Sequence, residues 1–443
     1  MALTKQPYKG TRDFFPADMR LRNYLFEKMA EVSELYAYEP YDGPILEEVE
    51  LYLAKSGQEL IDEQIYSFTD RGDRKVAIRP EMTPTVARMV AQIHREVAKP
   101  LRWYAIPNLM RYEKMQKGRL REFWQYNADI FGAGEYGDLE ILQLAITLLQ
   151  SFGANHDHFE VLINDRRLVD FVFKDLIQLE AEENKKLYKL VDKKNKMPAD
   201  KFSAEVHAIT QSEVGTRIFE DYSDLKTGAD IHAFILKYRP NTDVTEFEPA
   251  ASLLRLITRL DEFKLLDYVK FDSSIVRGLD YYTGMVFEIF DKHPDNRRAI
   301  AGGGSYANLL QIFNEPALEG VGIGLGEVPL KEFLKAHNLM KDFSKADICI
   351  LVTYQVAEAE KAAMHFAFNL RDAGFKTELM FGENKMKKVF TQSDRKNVKF
   401  VAFMGQDEID KSEVQIRDLE DKTSENFPLT DMIRIILKLK GKA

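Results

Sequence analysis

Leu21, Leu25, Met29, Val32 and Leu35 place one apolar stripe along residues 19–37, and that spacing predicts an amphipathic helix. A Pro- and Gly-punctuated strand is expected from about Tyr41 to Glu48. Residues 101–107 and 121–131 read as strands joined by a charged loop, 84–97 and 138–152 as helices, and 158–163 as a further strand. The texture changes near residue 165. From there to about 268 the chain is helical and rich in Lys and Glu, as in Glu180-Ala-Glu-Glu-Asn-Lys-Lys-Leu-Tyr-Lys, which suggests a helical module inserted into another fold. Strand character and glycines return at 271–304, and 330–345 reads as a charged connector.

Past the connector the two periods alternate. A strand at 346–353 precedes a helix at 356–373 that stops at Gly374, where a glycine commonly ends a helix. A strand at 375–381, a helix at 384–394, strands at 398–403 and near 413–419, and a closing helix follow. Such alternation implies a mainly parallel sheet with helices on its faces, in a separate domain of about 100 residues.

Composition narrows the class. At about 100–200 residues per domain, the 443-residue chain is expected to hold two or three. No stretch approaches the roughly 18 apolar residues of a membrane span. Met1 to Tyr8 lacks the apolar core of a secretory signal, so a cytoplasmic protein away from membranes is expected. The single cysteine, Cys349, lies in the apolar run Ile348-Cys349-Ile350-Leu351-Val352 and cannot form an internal disulfide, which fits a reducing compartment and a buried strand thiol. No Cys/His spacing suggests zinc. A net charge of −9 argues against coating nucleic acid non-specifically, so any nucleic-acid site must be short and localised.

Four segments carry candidate chemistry. Arg111-Tyr-Glu-Lys-Met-Gln-Lys-Gly-Arg-Leu-Arg-Glu-Phe-Trp-Gln125 reads as strand, basic loop, strand: an arginine there can clamp a phosphate bidentately and Phe123 can stack on a base. The plainer reading is a charged hairpin. Arg277-Gly-Leu-Asp-Tyr-Tyr-Thr-Gly-Met-Val-Phe-Glu288 brackets an aromatic turn with glycines, as a pocket wall would, or as a strand-turn-strand with surface tyrosines. Gly302-Gly-Gly-Ser-Tyr306 permits close approach of a ligand to the backbone, or is a bulge. Arg79-Pro-Glu-Met-Thr83 opens a helix, either as a cap or with Glu81 holding a substrate ammonium.

Taken in this order, the segments resemble the class II aminoacyl-tRNA synthetases, and among them the histidyl-tRNA synthetase family. Lys9-Gly-Thr-Arg-Asp-Phe-Phe-Pro16 is similar to that family's N-terminal signature, Pro44 to its motif 1 proline, 111–129 to motif 2, Arg277 to Gly284 to its histidine-specific motif, 302–304 to a second histidine-binding segment, and 320–336 to motif 3. The resemblance implies an α+β catalytic domain over 1–335, an antiparallel sheet flanked by helices, with the helical insertion at 165–268. It implies an anticodon-binding α/β domain over 345–443. The activity it implies is ligation of L-histidine to tRNA(His) through a histidyl-adenylate, using ATP as substrate with Mg2+, in a homodimer.

Residue roles follow from the same resemblance. Arg111 and Arg277 are the expected catalytic cations, and with Glu113, Arg119 and Phe123 they form the expected ATP site. Glu81, Thr83, Gln125, Asp129, Tyr281, Tyr282 and Tyr306 are the expected histidine site, with Asp129 an ionised acceptor for an imidazole N–H near neutral pH. Gln116, Lys117 and Arg121 are the expected contacts to the tRNA acceptor end. Lys385, Lys387, Lys388 and Lys399 form a candidate basic surface on the terminal domain.

The resemblance breaks at three places. Gly320-Val-Gly-Ile-Gly-Leu-Gly-Glu-Val328 puts Glu327 where motif 3 has an ATP-binding arginine, and a carboxylate does not bind a phosphate oxygen without a metal or a proton. Ser305 and Ala307 stand where an arginine or lysine and an aspartate are usual, and Trp124 replaces a smaller histidine or tyrosine. Either the chain is an active branch that neutralises ATP by other means, or it is a synthetase-like regulatory or binding paralogue. The retained constellation of Arg111, Glu113, Arg119, Phe123 and Arg277 favours activity.

Overall fold

The computed structural model describes residues 3–54, 64–114, 118–191, 193–194, 197–276, 281–296, 298–346 and 348–441. Cα packing divides the chain into two units, Met1–Asp13 with Asn23–Met340, and Phe14–Arg22 with Lys341–Ala443.

The first unit is built on a large sheet. Its strands run in the order Glu39–Pro40, Leu101–Ala105, Glu122–Phe131, Gly320–Gly326, Ala299–Tyr306, Met285–Asp291, Phe159–Asp165 and Val269–Phe271, and Asn108–Met110 pairs with the start of Glu122–Phe131. The interior pairings are antiparallel, as expected. The two edge pairings are parallel. Both edges are reached through long connections, which parallel neighbours require. The strand expected over 41–48 is split: Glu39–Pro40 joins the large sheet, while Leu46–Glu48 joins a small one with Lys75–Ile78 and Tyr66–Thr69. Pro44 lies between the pieces and has no N–H to give a ladder.

Helices cover the large sheet. Glu135–Ser151 buries a broad apolar face, with Leu139, Ile141, Leu142, Leu144, Ile146, Leu148 and Leu149 buried, and leaves a polar stripe from Tyr136 through Glu140, Gln143, Thr147 and Gln150. In Pro16–Leu35 the expected stripe buries Leu25, Met29 and Val32, but Leu35 is 77% exposed. The inward position at the helix end goes instead to Ser33, whose hydroxyl meets that of Tyr126 at 2.7 Å. The inserted module is helical from Arg166 to Glu262 and is tied back at Glu135, which accepts from Ser252 at 2.7 Å and from Arg255. The stretch expected as a connector begins as a helix, Glu327–Ala336: Leu330, Phe333 and Leu334 fall at i, i+3 and i+4 and are buried.

The second unit has strands ordered Thr377–Leu379, Ile350–Tyr354, Phe400–Met404, Glu413–Asp418 and Ser424–Pro428. The first two pairings are parallel and the last two antiparallel. Every residue of Ile350–Tyr354 and Phe400–Met404 is buried, as in strands covered on both faces. Cys349 is buried beside the first of them. The polar strand Ser424–Pro428 and the short helix Gln406–Asp410 gave no periodic signal.

The tightest place in the large sheet is Gly303. A Cβ there would lie 2.0 Å from the carbonyl oxygen of Gly322 and 2.7 Å from the ring of Phe287. Neither the ladder nor the buried ring can move far, so Gly303→Ala is expected to cost about 3 kcal/mol, the upper end of overpacking. Chemical denaturation checks this; a loss under about 0.5 kcal/mol, the scale of ordinary surface changes, would show that the sheet yields.

Candidate active site

Opposed residues of an antiparallel sheet share a face, and alternate residues of one strand share it too. Gln125, Asn127 and Asp129 therefore stand on the same face as Gly326, Gly324 and Gly322, their register partners. Gly302 and Gly304 continue that face on the next strand. The outcome is a floor of bare backbone. At Gly322 an added Cβ would sit 2.2 Å from Oδ1 of Asp129, and at Gly324 it would sit 2.1 Å from Nε2 of Gln125. The missing side chains are the space that those two polar groups occupy.

One end of the floor opens into a cleft of ≈ 190 Å³ lined by Arg111, Glu113, Gly118, Arg119, Phe123 and Gln125 on one side. The other walls come from Ala299 to Gly302 and from Gly324, Gly326, Val328 and Pro329. Arg111 is held by its Nε, which donates to the Pro80 carbonyl at 2.9 Å. Its guanidinium carbon lies 5.5 Å from the centroid of Phe123. Glu113 sits 2.8 Å from Arg119 and 3.9 Å from Arg111. Guanidinium groups beside an open aromatic face suit a ligand that is both phosphorylated and flat.

The other end is a cluster of buried polar side chains. Tyr306 donates to Asp129 at 2.5 Å, and both are buried. Burial raises the Asp129 carboxyl to about 7, against the opposing pull of the Tyr306 hydrogen bond. Burial thus works against the ionised form expected of Asp129 near neutral pH. Tyr281 donates to buried Glu81 at 3.4 Å. The Tyr281 ring lies 4.7 Å from Tyr282 and 6.1 Å from Tyr306, centroid to centroid. Thr83 begins the helix Thr83–Ile93, whose N-cap is Met82 without a side-chain cap, so capping does not account for this segment.

The expected residues divide as follows. Arg111, Glu113, Arg119, Phe123 and Gln125 share the cleft. Glu81, Asp129, Tyr281, Tyr282 and Tyr306 meet in or beside the buried cluster. Arg121 does not line the cleft: its guanidinium stacks 3.9 Å from the Tyr112 ring and donates to the Tyr8 hydroxyl at 3.1 Å. Arg277, Gln116 and Lys117 lie outside the described residues. In the second unit Lys385, Lys387 and Lys388 gather with Arg395 and Lys396 along the helix Met386–Lys396, and Lys399 stands outside that group.

Residues outside the expected ATP and histidine sites also belong here. Glu327 is buried and paired to Arg12. Ser305 donates to Asp138, a half-buried acid that desolvation raises to about 7. Glu288 is the register partner of Gly302 and so shares the floor's face. Among the described residues no group of three or more His, Cys, Asp or Glu is arranged to hold a metal ion.

Comparison with known proteins adds the following. A family model described as Histidyl-tRNA synthetase matches residues 10–326, and one described as Anticodon binding domain matches 347–439. A histidine–tRNA ligase of Leptospira biflexa is 40% identical over 437 residues, covering 98% of both chains. The chloroplastic/mitochondrial histidine–tRNA ligase of Arabidopsis thaliana is 33% identical over 436 residues, 96% of this chain and 85% of that one. The solved histidyl-tRNA synthetase of Nostoc sp. PCC 7120 matches with a TM-score of 0.81 over the whole of both chains at 19% identity, a likeness of fold.

The raised Asp129 carboxyl carries a stability signature. The folded state holds this proton more tightly than the unfolded chain, so ionisation favours unfolding as pH climbs from the ordinary value of 3.8 to about 7. Asp129→Asn can still accept from Tyr306 but has no proton to lose. It is expected to raise the melting temperature more at pH 8 than at pH 5. Equal shifts at both pH values in a thermal melt would refute a buried, titrating Asp129.

Proposed function

The chain belongs to the histidyl-tRNA synthetase family, and from that premise we infer that the glycine floor with its two ends is the catalytic centre. The activity is ATP-dependent ligation of L-histidine to tRNA(His). In the first half-reaction the histidine carboxylate attacks the α-phosphorus, and the bond to the bridging oxygen breaks to release diphosphate. In the second, a ribose hydroxyl at the tRNA end attacks the carbonyl carbon of the histidyl-adenylate, and AMP leaves. A match to an anticodon-binding model over 347–439 favours this over a regulatory paralogue.

The observation that carries the reading is that one strand, Glu122–Phe131, feeds both ends of the site. Phe123 and Gln125 line the cleft while Asp129 anchors the pocket. Histidine in the pocket and ATP in the cleft meet over Gln125. Phe123 stacks on adenine, and Glu113 holds the nucleotide. Arg111 faces the charge that develops on the α-phosphate, where a preoriented cation acts without reorganising, and the family resemblance gives Arg277 the same task.

In the pocket, Glu81, Thr83 and Gln125 take the backbone groups of the amino acid, and Tyr281, Tyr282 and Tyr306 surround the imidazole. The Asp129 carboxyl, raised to about 7 by burial, faces the imidazole and is the group that bonds a ring nitrogen. A site built from buried polar groups rejects amino acids that lack an imidazole, because such a ligand cannot supply the hydrogen bonds those groups are placed to make. Mg2+ takes few protein ligands when phosphates supply the rest, and Glu113 and Glu288 are the carboxylates that fit that part.

The wider assignments are proposals of the same kind. Residues 1–335, with the insertion at 165–268, form the catalytic domain, and 345–443 read the anticodon. Gln116, Lys117 and Arg121 meet the acceptor end. Homodimerisation through the Pro44 region is supported by the exposed apolar residues Ile45, Leu46 and Phe68 on or beside the small sheet. A cytoplasmic location accords with a single buried free cysteine, and no described helix is long and apolar enough to cross a membrane.

ATP–diphosphate exchange without tRNA, run with each of the twenty amino acids, tests the first half-reaction. Exchange with histidine alone is expected; exchange with none, from folded protein, would defeat the activity. Asp129→Ala is expected to raise KM for histidine by about 10–100-fold, the worth of a lost charged hydrogen bond, with little effect on KM for ATP. Equal losses for both substrates would remove Asp129 from the histidine site.

A further inference from the structure

Among the described residues, the cleft holds few positive charges for a triphosphate. Among the described lining residues the cations are Arg111 and Arg119, and Glu113 sits against both. The wall formed by Gly324, Gly326, Val328 and Pro329 carries no charge. The acid beside it, Glu327, is already neutralised by Arg12. That wall can support a ligand but cannot balance its phosphates.

The remaining wall is the start of the strand Ala299–Tyr306, and it is irregular. Ala301 pairs with Ile289 and Ala299 pairs with Phe290, so Ile300 has no partner on that side. A bulge of this kind re-aims the residues around it. Ala299, Ile300, Ala301 and Gly302 all line the cleft in succession. Arg298 immediately precedes them, with an exposed side chain. Its guanidinium is in electrostatic range of Arg119 and Glu113, both on the facing rim. Partial burial first, and then the Arg119 charge, hold Arg298 below the usual arginine range. Two guanidinium groups repelling across a cleft mark a place where a multiply charged anion relieves strain on both.

We propose that Arg298 binds the β- and γ-phosphates of ATP, acting across the cleft from Arg119 and supplying the cation that the Glu327–Ala336 wall lacks. The proposal rests on the reading of the cleft as the ATP site. It gives Arg298 a role in one half-reaction only. As the bond between the α-phosphorus and the bridging oxygen breaks, its electron pair moves onto the departing diphosphate, and a cation held there stabilises the transition state more than the bound substrate. After diphosphate leaves, Arg298 has nothing left to hold. Transfer of histidine from the adenylate to tRNA then proceeds without it.

The test is Arg298→Ala in the full chain. Calorimetry gives Kd for ATP and for a non-hydrolysable histidyl-adenylate analogue, which has no β- or γ-phosphate. A single-turnover assay follows histidine transfer from preformed adenylate. The expected result is a loss of at least about tenfold in ATP affinity, as for a charge-assisted phosphate contact, with analogue affinity and transfer rate unchanged. Arg298→Lys is expected to recover part of the ATP affinity, since a point charge keeps the attraction but not the fork. Unchanged ATP affinity, or equal losses for ATP and the analogue, would overturn the proposal. Wild-type protein that binds ATP yet exchanges no diphosphate would defeat the proposed activity while leaving the Arg298 comparison decisive. Wild-type protein that binds no ATP would overturn both.

Discussion

The centre of this molecule depends on a patch of sheet without side chains. Antiparallel register sets Gln125, Asn127 and Asp129 beside Gly326, Gly324 and Gly322, with Gly304 and Gly302 beyond them. A single Cβ at Gly322 or Gly324 would displace the group next to it. Such a floor lets a ligand lie against backbone, but it contributes no charge of its own. Recognition has to come from the margins: a buried acid and phenols at one end, arginines and a phenylalanine at the other. The same bareness explains why the neighbouring strands must be so firmly packed, since floor residues add nothing to the core on that face.

That division settles what the N-terminal segment is for. Gly10 accepts from the amides of both Arg121 and Glu122 through its carbonyl. Tyr8 bonds Arg121, and Arg12 pairs with Glu327. One short stretch therefore straps the end of the motif 2 hairpin to the helix that follows the last floor strand. Removing Arg12 would leave the Glu327 carboxylate buried without its counter-charge, which is far more unfavourable than never having placed the pair there. The carboxylate that looked like a defect in a phosphate site is a structural partner for an arginine twelve residues into the chain.

Much of this was legible in advance, for physical reasons that can be stated. Long periodic elements such as Glu122–Phe131 and Glu135–Ser151 announce themselves because burial enforces a single period. The cleft residues were found because Arg111, Glu113, Arg119 and Phe123 lie on one hairpin, so sequence spacing and spatial spacing coincide. What escaped notice depends on long-range pairing. Arg12 with Glu327 spans most of the first unit, and Ser305 with Asp138 joins two distant elements. The ionisation of Asp129 depends on how dry its surroundings are, which no local pattern reports. The helix Glu327–Ala336 was hidden differently: its charged residues suggested a connector, while Leu330, Phe333 and Leu334 were carrying the helical period underneath.

Committing Glu327 to Arg12 has a cost elsewhere. A helix that starts where the floor ends is the natural source of a cation for the tail of a nucleotide, and here that position is filled by an acid whose charge is spent. Positive charge on that side must then be brought by an element that reaches the cleft without crossing the floor. The strand Ala299–Tyr306 meets that condition because its ladder slips at Ile300, which frees consecutive residues to face the cleft in place of alternate ones. The bulge and the buried ion pair are thus two halves of one arrangement. The pair fixes the strap, and the bulge brings Arg298 to the opening where the strap's partner can no longer serve.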